Sequence, residues 1–300
     1  MVVGVTMAVF QSAVILGIFL GTVYAMMALG IVASFRINRV VNLGIPGLAV
    51  FGATVYFQMS SVWGAPILVA LLGGVLVGAL IGALLGICNL KMSAWPRGFV
   101  MIFTLTVTLF LFGWSDKILP PVQVSPSSPF GDSGGFNVAL TYVSNHQVGT
   151  FLTCIAVTAL MAFLVSKTRI GIYVRAIYDD GDSAATLGIP LSYFVVGVWA
   201  AAGALAALAG ILVSPRVTLD PYLILFVSIW ALAGSILGGL ESFGVAFAGS
   251  LLVGLSQSII GAGVFGRPGP GLENLGAIAV VAVAVFYAGI KRRDIAHIQT

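Results

Sequence analysis

Charged residues are scarce in this sequence. Only 7% of the 300 residues are Asp, Glu, Lys or Arg, whereas 60% are hydrophobic and the mean hydropathy is +1.14. Soluble domains are nearer half apolar and carry about a quarter charged residues. The composition therefore excludes an ordinary soluble domain and indicates an integral membrane protein. The strict apolar–polar alternation of a membrane barrel is also missing, so we expect helices.

Cysteine and histidine are almost absent, with two residues of each. Cys88 and Cys154 both lie inside apolar runs, so we expect buried thiols rather than a disulfide framework or a metal site. His146 stands alone at the end of a polar stretch, and we expect no functional role for it. We find no Ser–His–Asp combination and no glycine-rich phosphate-binding loop before a lysine. The chain is therefore expected to hold no catalytic, cofactor or metal site.

Charge is also lacking inside the apolar runs, because every acidic and basic residue falls at the end of a run or in a connection. Proton-driven carriers usually need an intramembrane carboxylate, histidine or lysine to bind the coupling proton. The sequence argues against such a carrier, while sodium coupling through hydroxyls and carbonyls is left open. If the protein moves a solute uphill, we expect the energy to come from another subunit.

Glycine and long apolar runs are abundant. The 38 glycines suit helices in lipid, where small residues let backbones approach closely. A helix needs about 20 apolar residues to cross the hydrocarbon core. The runs that meet or nearly meet this length are 8–33, 44–60, 66–90, 98–115, 149–166, 191–214, 222–240, 243–263 and 274–290. We therefore predict an all-α, polytopic membrane helical bundle of eight or nine transmembrane helices, forming one domain over 1–300.

Two of these runs are irregular. The second begins with Gly44, Pro46 and Gly47, so it could be a broken or re-entrant helix. The seventh and eighth runs are separated by only a few residues, which predicts a tight helical hairpin. Gly234 and Gly238 lie four residues apart there and are expected to form a helix contact.

Lys and Arg predict the orientation, because they accumulate in short cytoplasmic loops. With nine spans and an external N-terminus, one side receives Arg36, Arg39, Lys91, Arg97, Lys167, Arg169, Arg175, Lys291, Arg292 and Arg293, and the other only Lys117, Arg216 and Arg267. This asymmetry places residues 167–190 and the C-terminus in the cytoplasm. The net charge of +4 thus reports orientation in a lipid bilayer, and no nucleic acid partner is expected.

The longest connection, residues 115–148, is predicted to lie outside. It is rich in Pro, Ser and Gly, so we expect turns rather than a folded domain. It could dock an external protein or be a solvated connector.

The cytoplasmic segment 167–190 is compact and polar. Residues 169–180 can form a short helix with apolar residues on one face, and Arg175 and Asp179 are i, i+4 neighbours that can pair. The alternative is a structured loop that only links two spans.

A second short helix is predicted to follow. Gly181 is expected to end the first helix, and Asp182 or Ser183 to cap the second. Gly188 is expected to end the second helix, with Pro190 starting the next span.

The run GIYVRAIYDDGDSAATLGIPLSYF resembles the cytoplasmic coupling segment of permeases of the branched-chain amino acid ABC transporter family. In that family a Gly is followed by Arg-Ala, an acidic stretch and small residues that end in Leu-Gly-Ile. The matching positions are Gly171, Arg175, Ala176, Ala184, Ala185, Leu187, Gly188 and Ile189.

The run GTVYAMMALGIVASFRINRVVNLGIPGLAVFGA resembles the first span of the same family and the Asn-Phe-Ala-(Gln/His)-Gly segment after it. The matching positions are Tyr24, Ala25, Ala28, Leu29, Gly30, Asn42 and Gly52. Where that segment has Phe, Ala, Gln or His, and Gly, this chain has Leu43, Gly44, Ile45 and Pro46. The loss of polar capacity at Ile45 argues against an ordinary branched-chain amino acid as cargo.

The resemblance implies the permease subunit of an ATP-driven importer in the cytoplasmic membrane, moving a small polar solute such as an amino acid, amide or carboxylate. It implies two ATPase subunits that carry the ATP and magnesium, a second permease in a heterodimer, and an external binding protein. The implied ATPase-coupling residues are Gly171, Arg175, Asp179, Asp180, Asp182, Ala184, Ala185 and Gly188. A stand-alone secondary transporter or channel is the alternative.

Candidates for the solute pathway come from polar or small residues inside the spans. They are Asn42, Gly44, Gly47, Thr104, Thr108 and Gln257, with Ser256 beside the last. A disrupted backbone at membrane depth is tolerated only where protein or a water-filled cavity covers it. Asn42 could instead cap a helix, and the two threonines could bond only to their own backbone.

Overall fold

The computed structural model describes residues 2–263 except 132, 139 and 241, together with positions 274–276, 278–280, 282–283 and 286. Between residues 2 and 263 it contains ten α-helices and one β-hairpin. The elements are α1 (Val2–Asn38), α2 (Ile45–Phe57), which continues as a π-helical turn (Gln58–Val62), α3 (Ile67–Lys91), α4 (Arg97–Ile118), β1 (Gly135–Val138), β2 (Thr141–Ser144), α5 (Asn145–Lys167), α6 (Arg169–Asp179), α7 (Gly181–Thr186), α8 (Leu191–Val217), α9 (Pro221–Leu237) and α10 (Phe243–Gly261).

Seven of the described helices are long and apolar enough to cross a membrane: α1, α2 with its π turn, α3, α4, α5, α8 and α10. The all-α polytopic membrane bundle predicted from the sequence is confirmed. The shorter apolar α9 has 17 residues and is about 26 Å long at 1.5 Å per residue. Eight of the 17 residues of the predicted span 274–290, and the whole basic C-terminal segment after it, lie outside the described residues.

The abundant glycines permit backbone contacts between helices. On α3, a Cβ added to Gly78 would lie 2.5 Å from the Ala207 Cβ and 2.7 Å from the Gly203 carbonyl oxygen of α8. On α10, a Cβ added to Gly254 would lie 2.5 Å from the Cα of Gly21 on α1. These distances are too short for any larger residue, so glycine sets the spacing of the bundle.

The α9–α10 hairpin follows the same rule. A Cβ added to Gly234 would lie 2.8 Å from the Ser250 Cα, and one on Gly238 would lie 2.8 Å from the Ala246 backbone nitrogen. Both glycines therefore lie in the helix contact expected from their spacing.

The loop between α4 and α5 contains more regular structure than the sequence predicted. Strands β1 and β2 form an antiparallel hairpin over residues 135–144, which adds a short regular element to the turns expected there. The Gln11 side chain of α1 fixes its tip, because its Nε2 donates to the Val138 carbonyl at 2.7 Å and its Oε1 accepts from the Leu140 amide at 3.2 Å. A side chain distant in sequence thus supplies the partners that the loop lacks.

His146 ties this loop to the bundle. Its side chain is 4% exposed, its Nδ1 lies 2.8 Å from the Ser128 Oγ, and its Nε2 lies 2.9 Å from the Leu212 carbonyl oxygen. Because a carbonyl only accepts, Nε2 carries the hydrogen in this contact. These bonds give His146 a structural role at the junction of the loop, α5 and α8.

Candidate functional site

Segment 167–190 folds as two short helices, α6 and α7, joined by one residue. Asp180 is extended, with φ −152° and ψ 102°, and makes the corner between them. Gly181 is the first residue of α7 rather than the end of α6. The corner therefore comes one residue earlier than predicted, because an extended residue can turn the chain without the positive φ that favours glycine.

Asp180 also caps α7. Its Oδ1 accepts the Ser183 backbone N–H at 3.1 Å, and its Oδ2 accepts the Ser183 hydroxyl at 2.5 Å. The prediction that Asp182 or Ser183 caps this helix is wrong, since the residue before the first helical position is the one whose carboxylate reaches the free amides. Asp182 lies within α7, and its side chain is outside the described part of the chain.

Gly188 ends α7 as the sequence predicts. Its φ is +82°, its N–H donates to the Ala185 carbonyl at 3.0 Å, and the Ile189 N–H donates to the Ala184 carbonyl at 3.1 Å. This pair of bonds is the Schellman arrangement, in which a left-handed residue satisfies the last carbonyls of a helix. The turn aims the chain directly into α8 at Leu191.

Arg175 binds the end of α5 instead of pairing with Asp179. Its Nη2 donates to the Val165 carbonyl at 3.3 Å and its Nε to the Gly171 carbonyl at 3.1 Å. Among the described residues it forms no ion pair with Asp179. The last carbonyls of a helix lack partners and attract a cation, whereas an exposed i, i+4 pair contributes only about 0.2–0.5 kcal/mol.

Gly171 lets α6 lie against α5. A Cβ at this position would overlap the Val165 carbonyl and lie 2.6 Å from the Val165 Cα. Gly171 is buried, and so is Ala184, which is 2% exposed. These two predicted coupling residues therefore face this chain's own helices, whereas Asp179, Ala185 and Gly188 are exposed.

The exposed side of the segment also presents apolar residues that are not among the predicted coupling residues. Ile172 is 59% exposed, Leu187 80% and Tyr193, just after the segment, 80%. Ile172 lies off the buried face of α6, whereas Leu187 and Tyr193 follow the end of α7. In the sequence, these apolar residues do not fall on the apolar stripe that α6 buries, and this mismatch was the available signal of an exposed apolar surface.

The predicted pathway segment around residue 42 is an interruption between α1 and α2. Residues 39–44 are non-helical, and Arg39 has a φ of +55°. Asn42 is 1% exposed, and its Oδ1 accepts the Gly44 N–H at 2.9 Å, but its Nδ2 has no partner among the described residues. Asn42 thus supports the backbone of the interruption and leaves one buried donor unused.

Two threonines of α4 hold this interruption in place. The Thr108 hydroxyl donates to the Leu43 carbonyl at 2.7 Å and accepts the Gly47 N–H at 3.4 Å. The Thr104 hydroxyl accepts the Leu43 N–H at 3.2 Å and donates to the carbonyl of Met101 in its own helix at 2.9 Å. The threonines therefore do more than bond to their own backbone, because they replace the helical partners that residues 43–47 lack.

Packing accounts for the unusual apolar residue at position 45. Ile45 is 1% exposed, and its Cδ1 lies 3.4 Å from the position of a Cβ on Gly30 of α1. Ile45 therefore packs against α1, and the argument that it disfavours an ordinary branched-chain amino acid as cargo stays a prediction.

Gln257 lies elsewhere, near the opposite end of the bundle. Its Oε1 accepts the Tyr24 hydroxyl at 2.6 Å, and its Nε2 lies 3.4 Å from the Asn274 Oδ1. It lines a cavity of about 570 Å³ between α1 and α10, together with Ser12 and Ser258. Ser256 bonds to the Val253 carbonyl of its own helix. The structure thus groups the candidates at 42–47 with Thr104 and Thr108, and leaves Gln257 apart.

Comparison with known proteins connects this geometry to a family. The family model for the permease component of branched-chain amino acid transport systems matches residues 13–289. The probable branched-chain amino acid transport permease protein LivH of Methanocaldococcus jannaschii is 25% identical over 244 residues, covering 78% of this chain and 76% of that protein. The high-affinity branched-chain amino acid transport system permease protein BraD of Pseudomonas aeruginosa is 24% identical over 267 residues, covering 83% and 85%.

A sugar transporter subunit is also similar. The D-allose transport system permease protein AlsC of Escherichia coli is 26% identical over 242 residues, covering 80% of this chain and 68% of that protein. The family match supports a subunit that works with ATPase and solute-binding partners, and does not support a stand-alone carrier or channel. The chain belongs to the family of permease components of branched-chain amino acid transport systems, and it is a membrane-spanning permease subunit of an ABC transporter.

Proposed function

We propose that this chain forms half of the pore of an importer and that α6 and α7 dock into a cytoplasmic ATPase subunit. The observation that carries this proposal is the exposed surface of a rigidly folded segment. Asp180 and Gly188 fix both corners of α7, while Leu187 is 80% exposed just beyond it. Such a capped, outward-facing unit can transmit a push, because its shape does not depend on the partner.

The proposed assembly has two ATPase subunits, which bind ATP and magnesium, a second permease in a heterodimer, and an external solute-binding protein. The exposure of α5 supports a permease partner, since only 11% of an 18-residue apolar stretch of this helix is buried within this chain. The basic residues at the α6–α7 end support a cytoplasmic location for that end and for the C-terminus, with the protein in the inner membrane.

Nucleotide binding would drive transport by a shift of populations. ATP closes the ATPase pair and must favour one state of the permease by a few kcal/mol to change the populations usefully. Asp179, Asp180, Asp182 and the exposed Ala185 would match the ATPase surface, and Gly171 and Arg175 would keep α6 attached to α5.

The cargo we propose is a small polar solute such as an amino acid or a related amide or carboxylate. Two of the relatives are named for branched-chain amino acids and one for D-allose, so the family admits polar solutes of similar size. Asn42, Gly44 and Gly47 stay our pathway candidates, with Gln257 near the opposite entrance.

Replacing Leu187 with Asp tests the docking. Co-expressed with its ATPase subunits, the L187D chain is expected to lose them on purification, because a buried hot-spot contact is worth ~2 kcal/mol, or roughly thirtyfold in Kd. The matched control is L140D, which makes the same change at a 64% exposed leucine of the outer hairpin. Equal retention of the ATPase by both variants would contradict the docking site.

Leu187 is a sharper test than the charged residues. Reversing the charge of Arg175 would also break its bonds to the Val165 and Gly171 carbonyls, and a side chain at Gly188 would strain a backbone with φ +82°. The Leu187 side chain is mostly solvent-exposed, so its loss leaves the fold of the segment intact.

A further inference from the structure

One side chain joins the proposed coupling segment to the interruption between α1 and α2. The Arg39 guanidinium donates through Nη2 to the Tyr178 carbonyl at 3.3 Å, and its Cζ lies 4.5 Å from the centre of the Tyr178 ring. Tyr178 is in the last turn of α6, where the carbonyls lack helical partners. The arginine therefore holds α6 by two kinds of contact, a hydrogen bond and a cation–π contact.

The backbone of Arg39 is in an unusual conformation. It is the first residue after α1, and its φ of +55° lies in the left-handed region that non-glycine residues seldom occupy. Such a conformation persists only when the surrounding structure determines it. The contact with Tyr178 is one such determinant, so Arg39 is held from the α6 side.

The other end of the interruption is held by a different helix. Three residues beyond Arg39, Asn42 is fully buried, and its Nδ2 has no partner in the part of the chain that the structure describes. Leu43 is bonded at both its N–H and its carbonyl by the α4 threonines. An unsatisfied buried donor is costly, so a conformation of the segment in which Nδ2 gained a partner would be favoured. Residues 39–44 thus join α6 at one end to α4 at the other.

Space is available for relative movement of α6. A polar cavity of about 340 Å³ borders the Arg39–Tyr178 contact, lined among others by Asn38, Arg97 and Asp179. Close-packed interiors resist small displacements, whereas an open polar side allows one. The contact can therefore transmit a displacement of α6 without α6 being packed rigidly against α4.

We propose that Arg39 is a positioning residue that transmits the movement of α6 to residues 39–44, where the pathway candidate Asn42 lies. The inference rests on the proposed docking of α6–α7 to an ATPase subunit. It adds a defined mechanical connection: the nucleotide-driven displacement of α6 pulls on Arg39, and the threonine-held interruption rearranges around Asn42.

Amide hydrogen exchange on the assembled transporter tests the connection with ATP as the probe. In the wild-type complex we expect ATP to change exchange both in α6–α7 and in residues 40–48. In R39G, glycine keeps the positive φ without strain but removes the guanidinium. We expect the α6–α7 response to persist and the 40–48 response to fall about fivefold or more.

Two further variants separate linkage from general damage. R39K retains the charge but loses the planar group that stacks on the ring, so an intermediate response is expected. K91A removes one positive charge from the nearby exposed end of α3 and is expected to behave as wild type. If R39G does not assemble, Y178L removes the ring but keeps the backbone carbonyl that Arg39 binds, so an intermediate loss is expected, as for R39K.

The two proposals fail in different ways. A wild-type-like response of residues 40–48 in R39G, or no response there in the wild type while α6–α7 responds, overturns the Arg39 linkage. Absence of bound ATPase, or no ATP response in α6–α7, overturns the docking proposal itself.

Discussion

At position 171 the absence of a methyl group determines where α6 can lie. The Val165 carbonyl that a Gly171 Cβ would overlap is the same carbonyl that accepts a hydrogen bond from Arg175. Gly171 thus permits the close approach of α6 to α5. Because of this approach, Arg175, one turn later, reaches a carbonyl at the end of α5 that lacks a helical partner. The effect of both residues on coupling would be exerted through the position of α6.

Replacing Gly171 with Ala should displace α6 from α5. Forcing an extra carbon into a filled backbone contact typically costs about 1–3 kcal/mol, so thermal unfolding in detergent is expected at lower temperature. Binding of the ATPase subunit should weaken in parallel, measured by co-purification.

Gly113 of α4 provides the matched control. A Cβ there meets nothing within 4 Å, so G113A is expected to be neutral or slightly stabilising through helix propensity. If G171A and G113A unfold at the same temperature, the close contact drawn at Gly171 is wrong.

At the scale of elements, α3 and α8 form a close helix pair. Gly74, Gly78, Gly82 and Gly86 recur every four residues along α3, and the last two would place a Cβ against Trp199 of α8. Meanwhile the opposite face of α3 exposes leucines at positions 68, 72, 76, 80 and 84. One helix thus presents glycine to protein and leucine outward, as expected for a helix between a bundle and lipid.

This packing predicts different outcomes for two glycines of the same helix. A Cβ on Gly78 meets the α8 backbone, whereas one on Gly73 meets only the flexible end of Met59. G78A should therefore lower the free energy of unfolding by about 1–3 kcal/mol, and G73A by less than about 0.5 kcal/mol. Denaturation in detergent measures both, and equal losses would show that the backbone contact does not limit the packing.

At the scale of the whole molecule, the arrangement depends on which end faces the cytoplasm. The hairpin 135–144 and the segment 167–190 lie at opposite ends of α5, so one must be external if the other is internal. The distribution of Lys and Arg predicts that the hairpin is external. The docking proposal requires this orientation.

Thiol labelling of intact cells tests it. Cysteines placed at Ser133 and Leu187 are both exposed, and the native Cys88 and Cys154 lie within membrane helices. A membrane-impermeant reagent should label S133C in intact cells and L187C only after permeabilisation. The reverse pattern would place α6–α7 outside and remove the basis for ATPase docking.

Much of this architecture was predictable because the signals are local. Long apolar runs indicate the spans, and the left-handed turn at Gly188 follows from glycine's backbone freedom. The caps and pairs were harder, since Asp180 and Asp182 both suit a helix start, and only the position of the chain corner selects between them. The partner of Arg175 could not be read either, because the free carbonyl of Val165 is ten residues away in sequence.

The sequence by itself determined that this chain is a polytopic helical membrane protein without charge at its centre, because composition and run length alone set the cost of burial in lipid. It also determined the location of one polar segment with two short helices. Only the tertiary structure decided that the α4 threonines hold the interrupted second span and that Arg39 reaches Tyr178. Those contacts join residues 61 to 139 positions apart in sequence. They form only when separate helices pack together, so a local sequence pattern cannot predict them.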